Sequence, residues 1–193
     1  DFGGKKDETA VLYPGGSIGR VLLIGVGKDV SRASFRRAAA VAAKRARVLG
    51  VGTAAIAPVG EARGSVSVRE VYQSLAEGAA VGSWHYAEMK KAPDDPKAPL
   101  TSIELLAGPA DETEARAGHE IGAAIGAGSL AARGIQVLPP NVCPPTFVAN
   151  AAVELAARHG IKVTVLDKSA IIAEGMGALL AVAQGSAEHP RFV

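Results

Sequence analysis

Apolar and polar positions along this chain switch between two periods. Arg20-Val21-Leu22-Leu23-Ile24-Gly25-Val26-Gly27 is continuously apolar after its first residue, the pattern of a strand buried on both faces. A helical period follows to about Leu49, capped by Ser31 or Ser34 and stopped by Gly50. Phe35, Ala38, Ala42 and Leu49 share one face of that helix, and Arg32, Arg36, Arg37, Lys44 and Arg47 share another. Thr53 to Ala57 predicts a second strand. Val68 to Glu88 predicts a helix, with Val71, Leu75, Ala79 and Gly82 at helical spacing. A proline- and aspartate-bearing loop over 90–99 leads to a third strand, Thr101 to Leu106. Strand–helix–strand–helix–strand with short connections predicts a three-layer α/β unit with parallel strand pairs.

Gly108-Pro109 breaks the pattern, and Asp111 to about Arg133 reads as one long helix with an acidic start. Its middle carries Gly118, Gly122, Gly126 and Gly128. Glycine costs about 1 kcal/mol in a helix interior, so this cluster predicts close approach by another element. The segment Ile135 to Pro145, with four prolines, excludes a regular element over most of its length. Thr146 to His159 predicts a helix bearing Phe147, Ala151, Leu155 and Arg158 at helical spacing, with Gly160 as its stop. A strand over Ile161 to Leu166 and a short helix from Ser169 follow. Gly175-Met176-Gly177 then opens a last helix through Gln184. Ala187 to Val193 reads as the beginning of a further strand, so a chain interrupted inside a second α/β domain is expected. The N-terminus lacks an initiator Met and has no apolar core behind its charges, which is not the pattern of a secretory signal.

Composition narrows the picture modestly. Apolar residues make up 48% of the chain but aromatics only 4%, the mix of Ala-rich helices and Val/Ile-rich strands. A net charge of +2 is too small to argue for nucleic acid. The single cysteine, Cys143, excludes an internal disulfide and suits a reducing compartment. No apolar run reaches the roughly 18 residues needed to span a bilayer.

Candidate chemistry is sparse. Gly25-Val26-Gly27-Lys28 lies where a phosphate loop would, but Leu22 and Asp29 stand at positions where that motif requires Gly and Ser or Thr. Val30 stands where the dinucleotide pattern requires its third Gly or Ala. A plain strand-to-helix turn is the better reading. His85, His119, His159 and His189 are far apart, and Cys143 has no paired base near it in sequence. The basic helix face is a solvated face before it is a DNA-binding one. No catalytic, cofactor-binding or metal-ligating residue is assigned from these patterns.

The region from Ala132 onward resembles the leucyl (cytosol) aminopeptidase family of metallo-exopeptidases. Ala132, Arg133, Pro139, Asn141 and Pro145 match that family's entry into its catalytic domain, with Gly134, Val137 and Pro144 departing from it. Lys162 to Leu166 matches its Lys-Val-x-Val-Leu strand. Gly175 to Ser186 matches its Gly-Met-Gly signature, followed by Pro190-Arg191. Phe2-Gly3-Gly4-Lys5 and the strand of 20–27 are similar to its first domain, which is itself similar to macro domains. The resemblance implies a macro-like α/β domain over 1–109, a linker helix over 110–134, and the incomplete start of a metallopeptidase catalytic domain over 135–193. It further implies a cytoplasmic parent that removes N-terminal amino acids from peptides by two-metal hydrolysis, using zinc or manganese, as a homo-oligomer, the hexamer of that family. The resemblance also implies that the family's metal ligands and catalytic residues fall outside this chain, so no metal is expected in the chain itself. The alternative is a macro-like module that binds a small ligand or DNA without hydrolysis.

Overall fold

The computed structural model of the chain describes residues 1–58, 63–92 and 94–193. They form two compact units, Asp1–Ala132 and Arg133–Val193.

In the first unit, β1 (Thr9–Leu12) pairs antiparallel with β2 (Val21–Ile24), Thr9 opposite Ile24 and Leu12 opposite Val21. Gly15 and Gly16, both at positive φ, lie in the turn between them. The second pair is parallel: β3 (Thr53–Ile56) runs beside β4 (Ser102–Leu105), Thr53 opposite Ser102. The strands therefore form two separate pairs among the described residues, one of them antiparallel, rather than one parallel sheet. The unbroken apolar run of β2 suggested burial on both faces, yet all four of its residues are only half-buried. β1 had no counterpart in the sequence reading, because four residues behind a charged stretch carry too little period to stand out.

The helices supply the packing. α1 (Arg32–Leu49) starts at Ser31, whose N–H donates to the Ser34 hydroxyl at 3.3 Å, so both candidate serines take part in its start. It ends at Gly50, in the left-handed conformation. Its buried residues are Ser34, Phe35, Ala39, Ala43 and Ala46. The buried face thus keeps Phe35 but is rotated from the expected Ala38–Ala42–Leu49 line, because a run of alanines gives no contrast by which to choose a face. α2 (Val68–Ser83) buries Val71, Leu75, Ala79 and Gly82 as its period predicted, and ends before the expected Glu88. Ser67 and Glu70 cap its start reciprocally, and the hydrogen bonds from Ser67 hold the Glu70 carboxyl below its ordinary range. The core joins Phe35 and Ala39 of α1 to Val71, Leu75 and Ala79 of α2, with Ile56, Ile103 and Leu105 from β3 and β4 packed against them.

α3 (Glu112–Gln136) contributes Ala115 to that core. Its glycines explain how it comes so close. A Cβ on Gly118 would collide with the Arg69 carbonyl oxygen, and one on Gly122 with that of Gln73. One on Gly126 would lie 2.7 Å from the Ala80 Cβ, whereas at Gly128 there is open space. The expected close approach holds for three of the four. On the other side of α2, a Cβ on Gly78 or Gly82 would strike the carbonyls of Arg36 and Ala40 in α1. Ion pairs finish the assembly: Arg36 Nη1 meets the buried Glu77 carboxylate at 3.1 Å, and Arg69 donates twice to Glu114, at 2.9 and 3.0 Å.

In the second unit, α4 (Pro145–His159) begins with proline in its first turn, where no N–H is missed, and closes on Gly160 in the left-handed conformation. It buries Ala149 and Ala156, not the expected Phe147–Leu155 line; Phe147 and Leu155 are exposed. The expected strand over Ile161 to Leu166 is not formed. Only Leu166 pairs, in a single antiparallel bridge with Phe192, and Phe192 is all that forms of the expected terminal strand. Short helices α5 (Lys168–Ala173) and α6 (Gly177–Ala183) lie between the two halves of that bridge.

The glycine contacts yield a direct test. Gly118→Ala and Gly122→Ala should each destabilise the chain by about 1–3 kcal/mol, because a backbone carbonyl must move. Gly128→Ala should stabilise it by about 0.5–1 kcal/mol through helix propensity. Urea midpoints at unchanged m-value measure both; no loss at Gly118 and Gly122 would refute the packing. A second test concerns Tyr72, whose hydroxyl donates to the Leu106 carbonyl and ties α2 to the end of β4. Burial, and secondly the charge of Asp111, push its phenol above the ordinary 10.0. A raised folded pKa means that this contribution is whole below pH 10 and is lost as pH rises through the folded value. Tyr72→Phe should cost about 1 kcal/mol at neutral pH and flatten the alkaline loss of stability.

Candidate functional site

The glycine-rich turn after β2 holds the chain's own N-terminal segment. Gly25 N–H donates to the Glu8 carbonyl at 2.9 Å, Gly27 N–H to that of Gly4 at 3.1 Å, and Asp7 N–H to Gly25 at 3.1 Å. A Cβ on Gly25 would collide with the Lys5 carbonyl. The glycines are there so that two backbones can touch, and the turn's N–H groups are directed at carbonyls, not at a phosphate. Glu8 fixes the same segment from its other side: its carboxylate accepts from Gly3 and Lys5 N–H groups, which hold it below its ordinary range.

The basic face of α1 is partly engaged in ion pairs. Arg36 pairs with Glu77 and Arg37 with Asp7, the latter at 2.7 Å. All four histidines are exposed. Cys143 is half-buried, its N–H donating to the Pro139 carbonyl at 3.0 Å. Among the described residues no group of three or more His, Cys, Asp or Glu side chains could hold a metal ion, so no catalytic step is assigned to a metal held by them.

Two cavities mark the first unit. One, of about 360 Å³, is lined by small residues of α2 and α3, including Ala76, Ala80 and Ala123, with Ile103 of β4 and the exposed His119. The other, of about 420 Å³, opens beyond the carboxyl ends of the parallel strands β3 and β4. Ala57, Pro58, Val71 and Leu106 supply its apolar walls. Arg63 and Asp111 bring opposite charges to it, beside Tyr72. Sequence reasoning did not find this cavity, because its lining comes from five separate stretches that only the fold gathers.

In the second unit the Gly-Met-Gly segment has a local explanation. Asp167 caps α5, accepting from Ala170 N–H at 2.9 Å and from the Ser169 hydroxyl at 2.5 Å. The Ser169 bond first, and the Ala170 bond second, lower its carboxyl below the ordinary range. Gly175 takes the left-handed conformation at φ 69°, and Gly175 and Met176 return N–H groups to the Ile172 and Ile171 carbonyls. A side chain at Gly175 would be strained. α6 then starts at Gly177, and none of its residues is buried; Val182 is 85% exposed. No helix of the described residues is long and apolar enough to cross a membrane.

Comparison with known proteins places both units. Residues 1–93 match the family model for the cytosol aminopeptidase family N-terminal domain, and residues 130–193 that for the catalytic domain of the same family. A probable cytosol aminopeptidase of Alkalilimnicola ehrlichii is 38% identical over 184 residues, covering 90% of this chain and 36% of the relative. One from Roseiflexus castenholzii is 36% identical over 203 residues, covering 100% and 40%. Among solved structures, the bottromycin maturation enzyme BotP in complex with Mn superposes with a TM-score of 0.80 at 26% identity, over 98% of this chain and 39% of that one. A tomato leucine aminopeptidase mutant superposes with a TM-score of 0.76 at 25% identity, over 98% and 38%. The chain therefore spans well under half the length of the relatives it matches. The two domain matches, in one order on one chain, establish that it belongs to the cytosol aminopeptidase family.

Proposed function

We propose that this chain is the front portion of a metal-dependent aminopeptidase that removes N-terminal residues from peptides in the cytoplasm. The observation that carries this reading is the pair of matches in one order: an N-terminal domain over 1–93 and the opening of a catalytic domain over 130–193. α3 runs between the two matched regions and into the second. The Mn in the BotP structure supports a divalent metal as the hydrolytic centre. In this reading the chemistry is two-metal hydrolysis with manganese or zinc, supplied by residues of the longer protein. A macro-like domain over 1–109, a linker helix over 110–134 and the start of the catalytic domain over 135–193 form its functional division. The parent assembles as a homohexamer.

The exposed apolar side chains of the second unit favour the same reading. Ile161, Ile172, Val182 and Phe192 are 48–85% exposed. A longer catalytic domain would cover them.

The test uses the longer protein encoded by the gene that contains this sequence. Purified and supplied with Mn²⁺, it should release leucine from a leucyl anilide, and chelation should lower the rate at least about tenfold. Sedimentation should give six copies per particle. A rate indifferent to chelation, or no release at all, would overturn the assignment.

A further inference from the structure

We infer that the cavity beyond β3 and β4 binds a small zwitterion, an α-amino acid with an apolar side chain. In open α/β arrangements ligands settle in the crevice outside the carboxyl ends of parallel strands, and this cavity lies there. Its volume of about 420 Å³ falls within the range of small-molecule sites.

The lining selects the ligand. Arg63 offers a guanidinium that suits a carboxylate, and Asp111 offers a carboxylate that suits an ammonium group. Neither forms an ion pair with another described residue. α2 and α3 both begin at this cavity, at Val68 and just after Asp111. Val68, Val71, Pro58 and Leu106 then present apolar walls of a size for a branched aliphatic side chain. Tyr72 is already committed to the Leu106 carbonyl, so it braces the wall and does not compete for the ligand.

A simple anion would satisfy Arg63 but would be repelled by Asp111. An apolar molecule without charge would leave both charges unused. A free amino acid with an aliphatic side chain meets all three parts of the lining. Such amino acids are what an aminopeptidase releases, so the site would sense product away from the hydrolytic centre. That use, though not the binding itself, rests on the function proposed above.

Titration calorimetry on the 193-residue chain tests the binding without any need for hydrolysis. L-Leucine should give saturable heat. N-acetyl-L-leucine, which lacks the ammonium, and L-leucinamide, which lacks the carboxylate, should each bind at least about tenfold more weakly. Arg63→Gln and Asp111→Asn should weaken leucine to a similar extent. The derivative series on the unaltered chain keeps the test decisive if either variant misfolds. No saturable heat with leucine, equal binding of the capped derivatives, or inorganic phosphate binding as tightly as leucine would overturn the assignment. An inactive longer protein that still binds leucine here would sink the proposed function and leave this site standing.

Discussion

The first unit depends on three helices being allowed to touch backbone to backbone. α2 lies between α1 and α3, and on both sides the contact is made where a side chain is missing. Gly78 and Gly82 stand against carbonyls of α1, and Gly118 and Gly122 of α3 stand against carbonyls of α2. Any Cβ at these positions would lie closer to a neighbour than packed atoms can approach. The helices are close because the sequence spends helix propensity at several positions to let them be. Much else follows from that spacing. Only with α1 drawn in can Arg36 reach across to neutralise Glu77 in its buried position. Only with α3 drawn in does Ala115 join the core and Glu114 meet Arg69.

The same packing builds the cavity. α2 and α3 are held with their first turns at the ends of β3 and β4, so Val68, Asp111 and Leu106 come to one place from distant parts of the chain. Tyr72 couples the two layers, since its ring lies in the core while its hydroxyl holds the first carbonyl beyond β4. Stability and site geometry therefore share residues here.

The elements legible in the sequence are those whose signal is local. The period of α2 named its buried face, the helical glycines named a close contact, and Gly50 and Gly160 named two helix ends. The readings that missed relied on context the sequence does not carry. An alanine run cannot say which side of α1 is inside. A four-residue strand such as β1 is defined by its partner, not by its own period. The cavity was invisible for the same reason: Arg63 and Asp111 are ordinary charges in the sequence until the fold brings both to the lining of one cavity. Family membership was legible because the Gly175–Ser186 signature is long and ordered, although its residues hold no metal site among themselves.

The segment over Ile161 to Leu166 shows where propensity ends and pairing begins. Its residues are those of a strand, and the resemblance placed a strand there. What forms is one bridge, in which Leu166 N–H donates to the Phe192 carbonyl at 2.8 Å and Phe192 N–H donates back at 3.1 Å. β-propensity measures how well side chains fit a pleated, half-covered surface, so it is expressed only when the surface exists. Ile161 is 61% exposed and Val182 of α6 85%, which means neither has such a surface to lie on. A unit of this length has little capacity to bury apolar area by itself. The bridge nevertheless fixes a register: it returns the chain after α6 to the point from which α5 departed. α5 and α6 thus form an excursion between two extended segments already aligned antiparallel. A sheet extending that alignment would need no rearrangement of what is present, only further residue pairs on either side of Leu166 and Phe192.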